Sequence, residues 1–435
     1  VLDPCCGTGN FLLQLPDVLP FDSIYGNDID AASVKITRLN MALKYNVPVA
    51  VIYKHITGQD YLTDYAEKDF QYIIGNPPWG YDFSEEEQSQ LRTIYKSATG
   101  KNIESYDVFI EQALNHLTDN GHLAYVLPEA ILNVKAHTNI RKIILESCSI
   151  KNLVFLGNAF DGVQCPCIIL DLQCTRSPLS TVGMNVNTGT ASFTINIERT
   201  VSAEYFSFTT SDAEYNVLCK IRSMPNSAYL LDNADFALGI VTGNNKEYIS
   251  DIKNENNEMI LKGADICKYH ITRTNNYIVF KPENFQQAAP TEMYRSPEKL
   301  LYRFISSQLV FAYDDKQTLS LNSCNIVIPR IPGIKIKYVL AILNSRIAQF
   351  IYKKEFNSVK VLRSHIENIP IPTVDASTQA EIIALTDKLI SGLQADEAEK
   401  VYDELDLLVS KAFNLGSNEI EIINKAVEGD NKFLA

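Results

Sequence analysis

Phe70-Gln71-Tyr72-Ile73-Ile74-Gly75-Asn76-Pro77-Pro78-Trp79 is the stretch from which the rest of the chain is read. Phe70 to Ile74 is an apolar run of strand length. Asn76-Pro77-Pro78 stops it, because proline fixes φ and has no N–H to give a neighbouring strand. Beyond the stop, the Asn76 side-chain oxygen and the Pro77 carbonyl are two acceptors that can both face one amino group. Trp79 adds a flat face on which a planar base can stack.

Three similar junctions lie upstream. Val1-Leu2 runs into Asp3 and then Pro4-Cys5-Cys6-Gly7-Thr8-Gly9. Ile24-Tyr25 ends in Gly26-Asn27-Asp28, and the β-branched run from Val49 to Tyr53 predicts a strand leading to Gly58-Gln59-Asp60. Ala32, Ile36, Leu39 and Leu43 have the spacing of an amphipathic helix between them, and so do Tyr106, Ile110, Ala113 and Leu117 before the strand Leu123 to Leu127. Strands alternating with helices predict βαβ units and a parallel α/β sheet. In such a sheet Asp3, Asp28, Asp60 and Asn76 converge at the carboxyl ends of the strands, where ligands bind. Asp28 lies near the spacing at which an acidic side chain meets a ribose. Position 12 is Leu, so the full GxGxxG pattern is absent and the nucleotide is predicted to be other than NAD.

The chain has 435 residues, enough for two or three domains. With 46% hydrophobic and 21% charged residues, long disorder is excluded. No apolar run reaches the ~18 residues of a membrane span. The chain opens on Val1 with no initiator Met or signal peptide, which predicts a cytoplasmic chain whose upstream part lies outside this numbering. Nine scattered cysteines without a CxxC pair, and six dispersed histidines, predict reduced core thiols and no metal site. The net charge of −13 hides an asymmetry. Residues 294–374 hold 12 Lys and Arg against 5 Asp and Glu, whereas 375–435 hold 5 against 13. The basic stretch, with Tyr294, Arg295, Tyr302, Arg303, Lys335 and Lys337, suits phosphate contacts. Residues 176–230 read as a linker with a few strands, and 230–375 as a mixed, loop-rich domain that lacks helical periodicity over most of its length. From Thr378, Ile382, Leu385, Leu389 and Leu393 predict amphipathic helices.

The ordered set Asp3-Pro-Cys-Cys-Gly-Thr-Gly-Asn-Phe11, Gly26-Asn-Asp28, Gln59-Asp60-Tyr61 and Asn76-Pro-Pro-Trp79 resembles the amino-methyltransferases, in particular the TaqI-like N6-adenine DNA methyltransferases of restriction–modification systems. The likeness continues more loosely in Gly239-Ile-Val-Thr-Gly243-Asn-Asn, Leu261-Lys-Gly-Ala-Asp-Ile266, Glu298-Lys-Leu-Leu and Ile369-Pro-Ile-Pro372. It implies a Rossmann-like S-adenosylmethionine-dependent methyltransferase domain over 1–205. A mixed α+β target-recognition domain follows over 206–375, and a helical C-terminal extension over 376–435. It also implies double-stranded DNA as partner, with a restriction endonuclease domain or subunit as a further one.

Carried over by position, Asp3, Gly7 and Gly9 would lie beside the methionine moiety, Asp28 would bind the ribose hydroxyls and Ile29 would pack on the cofactor adenine. Asp60 would accept from that adenine's amino group, with Tyr61 on its other face. Asn76 and Pro77 would hold the target amine, while Trp79 and Phe160 would stack on the flipped base. Arg295, Arg303, Lys335 and Lys337 would contact DNA. The family's usual segment upstream of the first strand is absent from this numbering, and Cys5 replaces the commoner Ala. Two other readings belong beside it, a protein glutamine N5-methyltransferase and a DNA-binding or assembly subunit without catalysis. Pro166-Cys167, a literal match to a cytosine-C5 nucleophile, falls in the buried-strand pattern Cys167-Ile-Ile-Leu-Asp-Leu. Pro297-Glu298 followed by Asp314-Asp-Lys316 is a loose nuclease-like spacing.

Overall fold

The computed structural model describes residues 1–67, 69–160, 162, 165–272, 274–356 and 358–429. The chain divides into two compact units, Val1–Asp212 and Ala213–Ala435.

The first unit is built on one sheet of nine strands: β1 (Leu2–Asp3), β2 (Tyr25–Asn27), β3 (Ile56–Thr57), β4 (Phe70–Gly75), β5 (Leu117–Pro128), β6 (Cys148–Gly157), β7 (Cys167–Cys174), β8 (Asn185–Asn187) and β9 (Ser192–Thr194). Their order is 3-2-1-4-5-7-6-8-9. The first five strands are parallel, and β7 runs antiparallel between β5 and β6. The order reverses between β1 and β4, so a crevice opens at the carboxyl ends of these strands. The helices are α1 (Asn10–Leu13), α2 (Ala31–Tyr45), α3 (Val49–His55), α4 (Glu85–Ile94), α5 (Ser105–His116) and α6 (Thr138–Ser147). Tyr106, Ile110 and Ala113 of α5 are buried, as their spacing predicts, and Leu117 opens β5.

Two local expectations are corrected. Val49 to Tyr53 lies in α3, and the strand is the two-residue β3 that follows. Only Ile52 of α3 is buried, so the β-branched run had little packing to express its strand preference. Helix α2 turns a different face inward from the one expected. Val34, Thr37 and Met41 are buried, while Ile36, Leu39 and Leu43 are 46%, 60% and 76% exposed. Polar contacts to the glycine turn choose that face: Thr37 Oγ1 donates to Gly7 O at 2.7 Å, Asn40 Nδ2 to Thr8 O at 2.9 Å, and Lys44 Nζ to Leu13 O at 2.8 Å. Left unpaired in the interior, each of those carbonyls would cost about 1–3 kcal/mol, which weighs against the cost of exposing three aliphatic side chains.

The second unit holds a four-stranded antiparallel sheet in the order Ala234–Ala237, Cys324–Pro329, Lys299–Arg303, Phe311–Asp314. A smaller sheet joins Ile249–Ser250, Tyr277–Ile278, Glu258–Leu261 and Leu319–Ser320. Contrary to the loop-rich expectation, residues 336–351 form two consecutive helices, Ile336–Asn344 and Arg346–Ile351. Tyr338 to Asn344 are all buried, so the first helix has no polar stripe by which to be recognised. Asn344 closes the sheet edge: its Oδ1 accepts from Phe311 N–H and its Nδ2 donates to Phe311 O, both at 2.9 Å. The helices Ala376–Ile390, Ala395–Ala412 and Ser417–Ala426 follow, and Ile382, Leu385 and Leu405 share one core with Val339 and Ile342. The 176–230 segment contains β8, β9 and a helix, Asp212–Arg222. All nine cysteines are free thiols. Five are buried, whereas Cys219 is exposed. Among the described residues no helix is long and apolar enough to cross a membrane, and no group of acidic, His and Cys side chains could hold a metal ion.

Candidate active site

A pocket of about 320 Å³ lies where β1 to β4 end, within the range of small-ligand sites. Its wall contains Asp28, Ile29, Asp60, Tyr61 and Asn76 of the predicted residues. Asp3, Gly7, Gly9, Pro77, Trp79 and Phe160 are not on that wall; the first three build the turn beside it.

The glycine turn is shaped by its neighbours. Gly7 and Gly9 have φ of +52° and +88°, a region costly for residues with a Cβ. The Gly7 N–H donates to Asp28 Oδ2 at 2.8 Å, which ties the turn after β1 to the carboxylate after β2. The other oxygen, Asp28 Oδ1, accepts from Asp30 N–H at 2.9 Å. Asn27, wholly buried, holds the third element. Its Nδ2 donates to Gln59 O at 3.0 Å, and its Oδ1 accepts from Thr57 Oγ1 at 2.9 Å and Gln59 N–H at 3.1 Å. Asp60 is fixed in turn by Leu62 N–H, which donates to its Oδ1 at 2.8 Å.

Asp3 is also wholly buried. Its Oδ1 accepts from Cys5 N–H at 3.2 Å, and its Oδ2 has no hydrogen-bond partner among the described residues. Burial, with a smaller contribution from nearby Asp28, pushes this carboxyl up to about 7. A Cβ on Gly75 would stand 2.8 Å from Asp3 Oδ1, so only glycine lets β4 pass so close.

The Asn-Pro-Pro-Trp segment begins at the end of β4. Asn76 is exposed into the pocket, Pro77 is buried and Trp79 is half-buried. The Trp79 and Phe160 rings lie 5.5 Å apart at 74°. The two predicted stacking residues are therefore brought together, edge to face and not as parallel plates. The Trp79 Nε1 is buried without a partner among the described residues. Tyr61 reaches the pocket, but its ring is packed in the core 5.5 Å from both Tyr65 and Phe109.

Several wall residues carried no sequence signal. Phe109 is one apolar position among many on α5, and Tyr81, Phe83 and Glu87 lie on the descent into α4. Asn27 and Gln59 stand directly before Asp28 and Asp60, and an amide there has no spacing or pattern that marks it as part of a pocket.

The basic stretch fares differently. Arg295 grips both oxygens of Glu258, at 2.6 and 2.7 Å, and lies over the Phe280 ring. Lys337 pairs with Asp387 at 2.6 Å. Arg303 Nε donates to Ile266 O at 2.7 Å, and the Lys335 N–H donates to Gln379 Oε1 at 2.7 Å. Tyr294 and Tyr302 are buried core residues. The nuclease-like spacing dissolves as well, since Asp314 is buried with Lys299 at 2.5 Å and bonded to Thr318. Cys167 is wholly buried in β7, where burial pushes its thiol up, against a role as nucleophile. A larger open groove of about 940 Å³ in the second unit is lined by Arg346, Asp403 and Asp406, and Arg346 already pairs with both aspartates.

With the pocket and its loop in place, the chain can be set beside known proteins. The family model described as N-6 DNA Methylase matches residues 1–198. Nearly the whole of the first unit therefore matches the N-6 DNA methylase model. A second model, the TaqI-like C-terminal specificity domain, matches residues 258–371, so the methylase domain is followed by a specificity domain in one chain. The chain is 30% identical over 271 residues to the type II methyltransferase M.VspI of Vibrio sp. (strain 343), covering 61% of this chain and 64% of that protein. It is 24% identical over 307 residues to a putative type II restriction enzyme and methyltransferase of Methanocaldococcus jannaschii, 66% of this chain but 25% of that one. The chain thus spans less than two thirds of the curated relatives it matches. In fold it resembles the type IIL restriction–modification enzyme MmeI, solved in complex with DNA, with a TM-score of 0.59 and 12% identity over 99% of this chain and 72% of that one.

Proposed function

We propose that this chain transfers a methyl group from S-adenosylmethionine to the N6 amine of an adenine flipped out of a specific double-stranded DNA site, as the modification activity of a restriction–modification system. The observation that carries this reading is one pocket wall that joins Asp28 and Asp60 to Asn76.

The residues present suit the cofactor. Asp28 offers acceptors to a ribose diol, Ile29 and Phe109 offer apolar faces to an adenine, and Asp60 offers an acceptor to its amino group. The buried Asp3 Oδ2, without a hydrogen-bond partner among the described residues, leaves a polar atom available beside the turn at which the methionine end is expected. Bound S-adenosylmethionine supplies an electrophilic methyl group.

The protein's own part is to hold the acceptor amine. An exocyclic adenine amine is a weak nucleophile because its lone pair is delocalised into the ring. The Asn76 Oδ1 and the Pro77 carbonyl take its two N–H groups and favour the geometry in which the lone pair is free to attack. Both oxygens also stabilise the positive charge that develops on nitrogen. Trp79 and Phe160 replace the stacking that the base loses on leaving the helix. No covalent enzyme intermediate is required.

The match of residues 258–371 to a specificity domain favours DNA over a protein glutamine amide as the acceptor. Arg295, Arg303, Lys335 and Lys337 would share in the DNA contact, Arg295, Arg303 and Lys337 in competition with the internal partners of their side chains. A restriction endonuclease, fused or separate, is the partner this reading implies. The test is single-molecule sequencing of DNA from cells expressing the chain. N6-methyladenine in one fixed motif is expected, and its absence together with no transfer of labelled methyl to DNA in vitro would overturn the reading.

A further inference from the structure

We infer that Ser105 is a positioning residue for this transfer, its hydroxyl clamping the turn that carries Asn76 and Trp79. The inference rests on the function proposed above. Pro77 and Pro78 have no N–H, so this part of the turn can be fixed only through its carbonyls. Ser105 Oγ donates to Pro78 O at 2.5 Å and accepts from Tyr81 N–H at 3.4 Å. One hydroxyl therefore bridges the two sides of Trp79 and of Gly80, whose φ of +64° closes the turn. Ser105 is itself wholly buried, so its hydroxyl is shielded from bulk water.

The hydroxyl is held in place from behind. Ser105 opens α5, and the next two side chains lock onto one buried imidazole. Tyr106 OH lies 2.7 Å from His137 Nε2, and Asp107 lies 2.9 and 3.1 Å from His137 Nδ1 through its two oxygens. With the Nδ1–H donating to the carboxylate, Nε2 is left to accept from the phenol. The Tyr106 and His137 rings stack at 4.9 Å. Arg141, wholly buried one turn into α6, donates to the carbonyls of Ile131, Val134, Ala203 and Glu204 and fixes the segment that carries His137. The first turn of α5 thus cannot shift without breaking several buried bonds, and the serine transmits that rigidity to the base-holding turn.

Trp79 is the single tryptophan of the chain, so intrinsic fluorescence reports on the clamped turn directly. In Ser105→Ala, acrylamide is expected to quench Trp79 more strongly than in wild type. The kcat for methylation of motif-bearing DNA should fall about 100-fold, the cost of a small misplacement of reacting groups, with S-adenosylmethionine affinity and DNA KM within twofold. Ser105→Thr, which keeps the hydroxyl, should restore both the quenching and kcat. Should Ser105→Ala fail to fold, Ser105→Cys weakens the donor at similar size and should show stronger quenching and a lower kcat than wild type. Wild-type quenching and kcat in Ser105→Ala, with methylation by the wild type intact, would overturn the clamp and leave the proposed function standing. Equal losses of kcat and cofactor affinity in the alanine and threonine variants would reduce Ser105 to a packing residue. A wild-type chain that transfers no methyl would overturn the function and this inference with it.

Discussion

The pocket at the end of β1 to β4 and the basic stretch at 294–374 were both marked out by sequence, and the structure treats them oppositely. In and around the pocket, polar groups are left with capacity to spare: Asn76 is exposed on its wall, and beyond the wall Asp3 Oδ2 and Trp79 Nε1 are without partners among the described residues. In the basic stretch, charges are consumed internally, with Arg295 on Glu258, Lys299 on Asp314, Lys337 on Asp387 and Arg346 on Asp403. A motif after a strand places its side chains through the strand itself. A charge count says nothing about whether a partner of opposite sign waits across the fold.

The largest effect on stability is expected from Lys299→Met, which strands a buried Asp314. Loss of one partner of a buried pair costs ~3–5 kcal/mol, to be read as a fall in the urea midpoint of the second unit's unfolding. The double variant Lys299→Met with Asp314→Leu should recover most of that loss. Recovery of nothing would mean that the pair does not act as a unit.

Asn76→Ala tests the other side of the comparison. Removal of one pre-aimed acceptor should cost ~2–4 kcal/mol of transition-state stabilisation, a drop of roughly 30- to 1000-fold in kcat. Calorimetry should show S-adenosylmethionine binding unchanged. Retention of wild-type turnover would remove Asn76 from the chemistry.

Asp3→Asn should change the pH dependence of stability. The folded state keeps this proton up to about pH 7, whereas the unfolded chain releases it near the ordinary carboxyl value of 3.8. Between these values the folded state binds more protons, so this group's contribution falls as pH rises from about 4 to about 7 and is constant above. The melting temperature of Asp3→Asn relative to wild type should therefore be higher at pH 7.5 than at pH 5. An equal difference at the two pH values would show that the carboxyl titrates as in the unfolded chain.

The smallest effects are expected from Arg295→Gln and Lys337→Gln. Because each is engaged with a carboxylate on its own surface, either change should move stability by less than ~1 kcal/mol. The slope of log DNA affinity against log salt should also stay put. A slope reduced by about one per substitution would show that the pairs open to meet phosphate.

Legibility followed the range of the interactions. Strands β1, β2, β4 and β5, helix α5 and the junctions at Asp28, Asp60 and Asn76 were readable because each depends on residues adjacent in sequence. The inward face of α2 was not. It depends on carbonyls in the turn at Gly7 and Thr8, thirty residues away. The Ile336–Asn344 helix was missed because burial on every side removes the periodicity by which helices are recognised.

The sequence by itself determined the α/β framework and the placing of Asp28 and Asn76 directly after β2 and β4, since local chain direction and proline geometry suffice for these. Only the tertiary structure decided which cations are spent within the fold, that Phe109 completes the pocket, and that Ser105 holds the turn. Each of these is a contact between segments distant along the chain, and apart from such contacts a lysine, a phenylalanine or a serine is chemically the same wherever it stands.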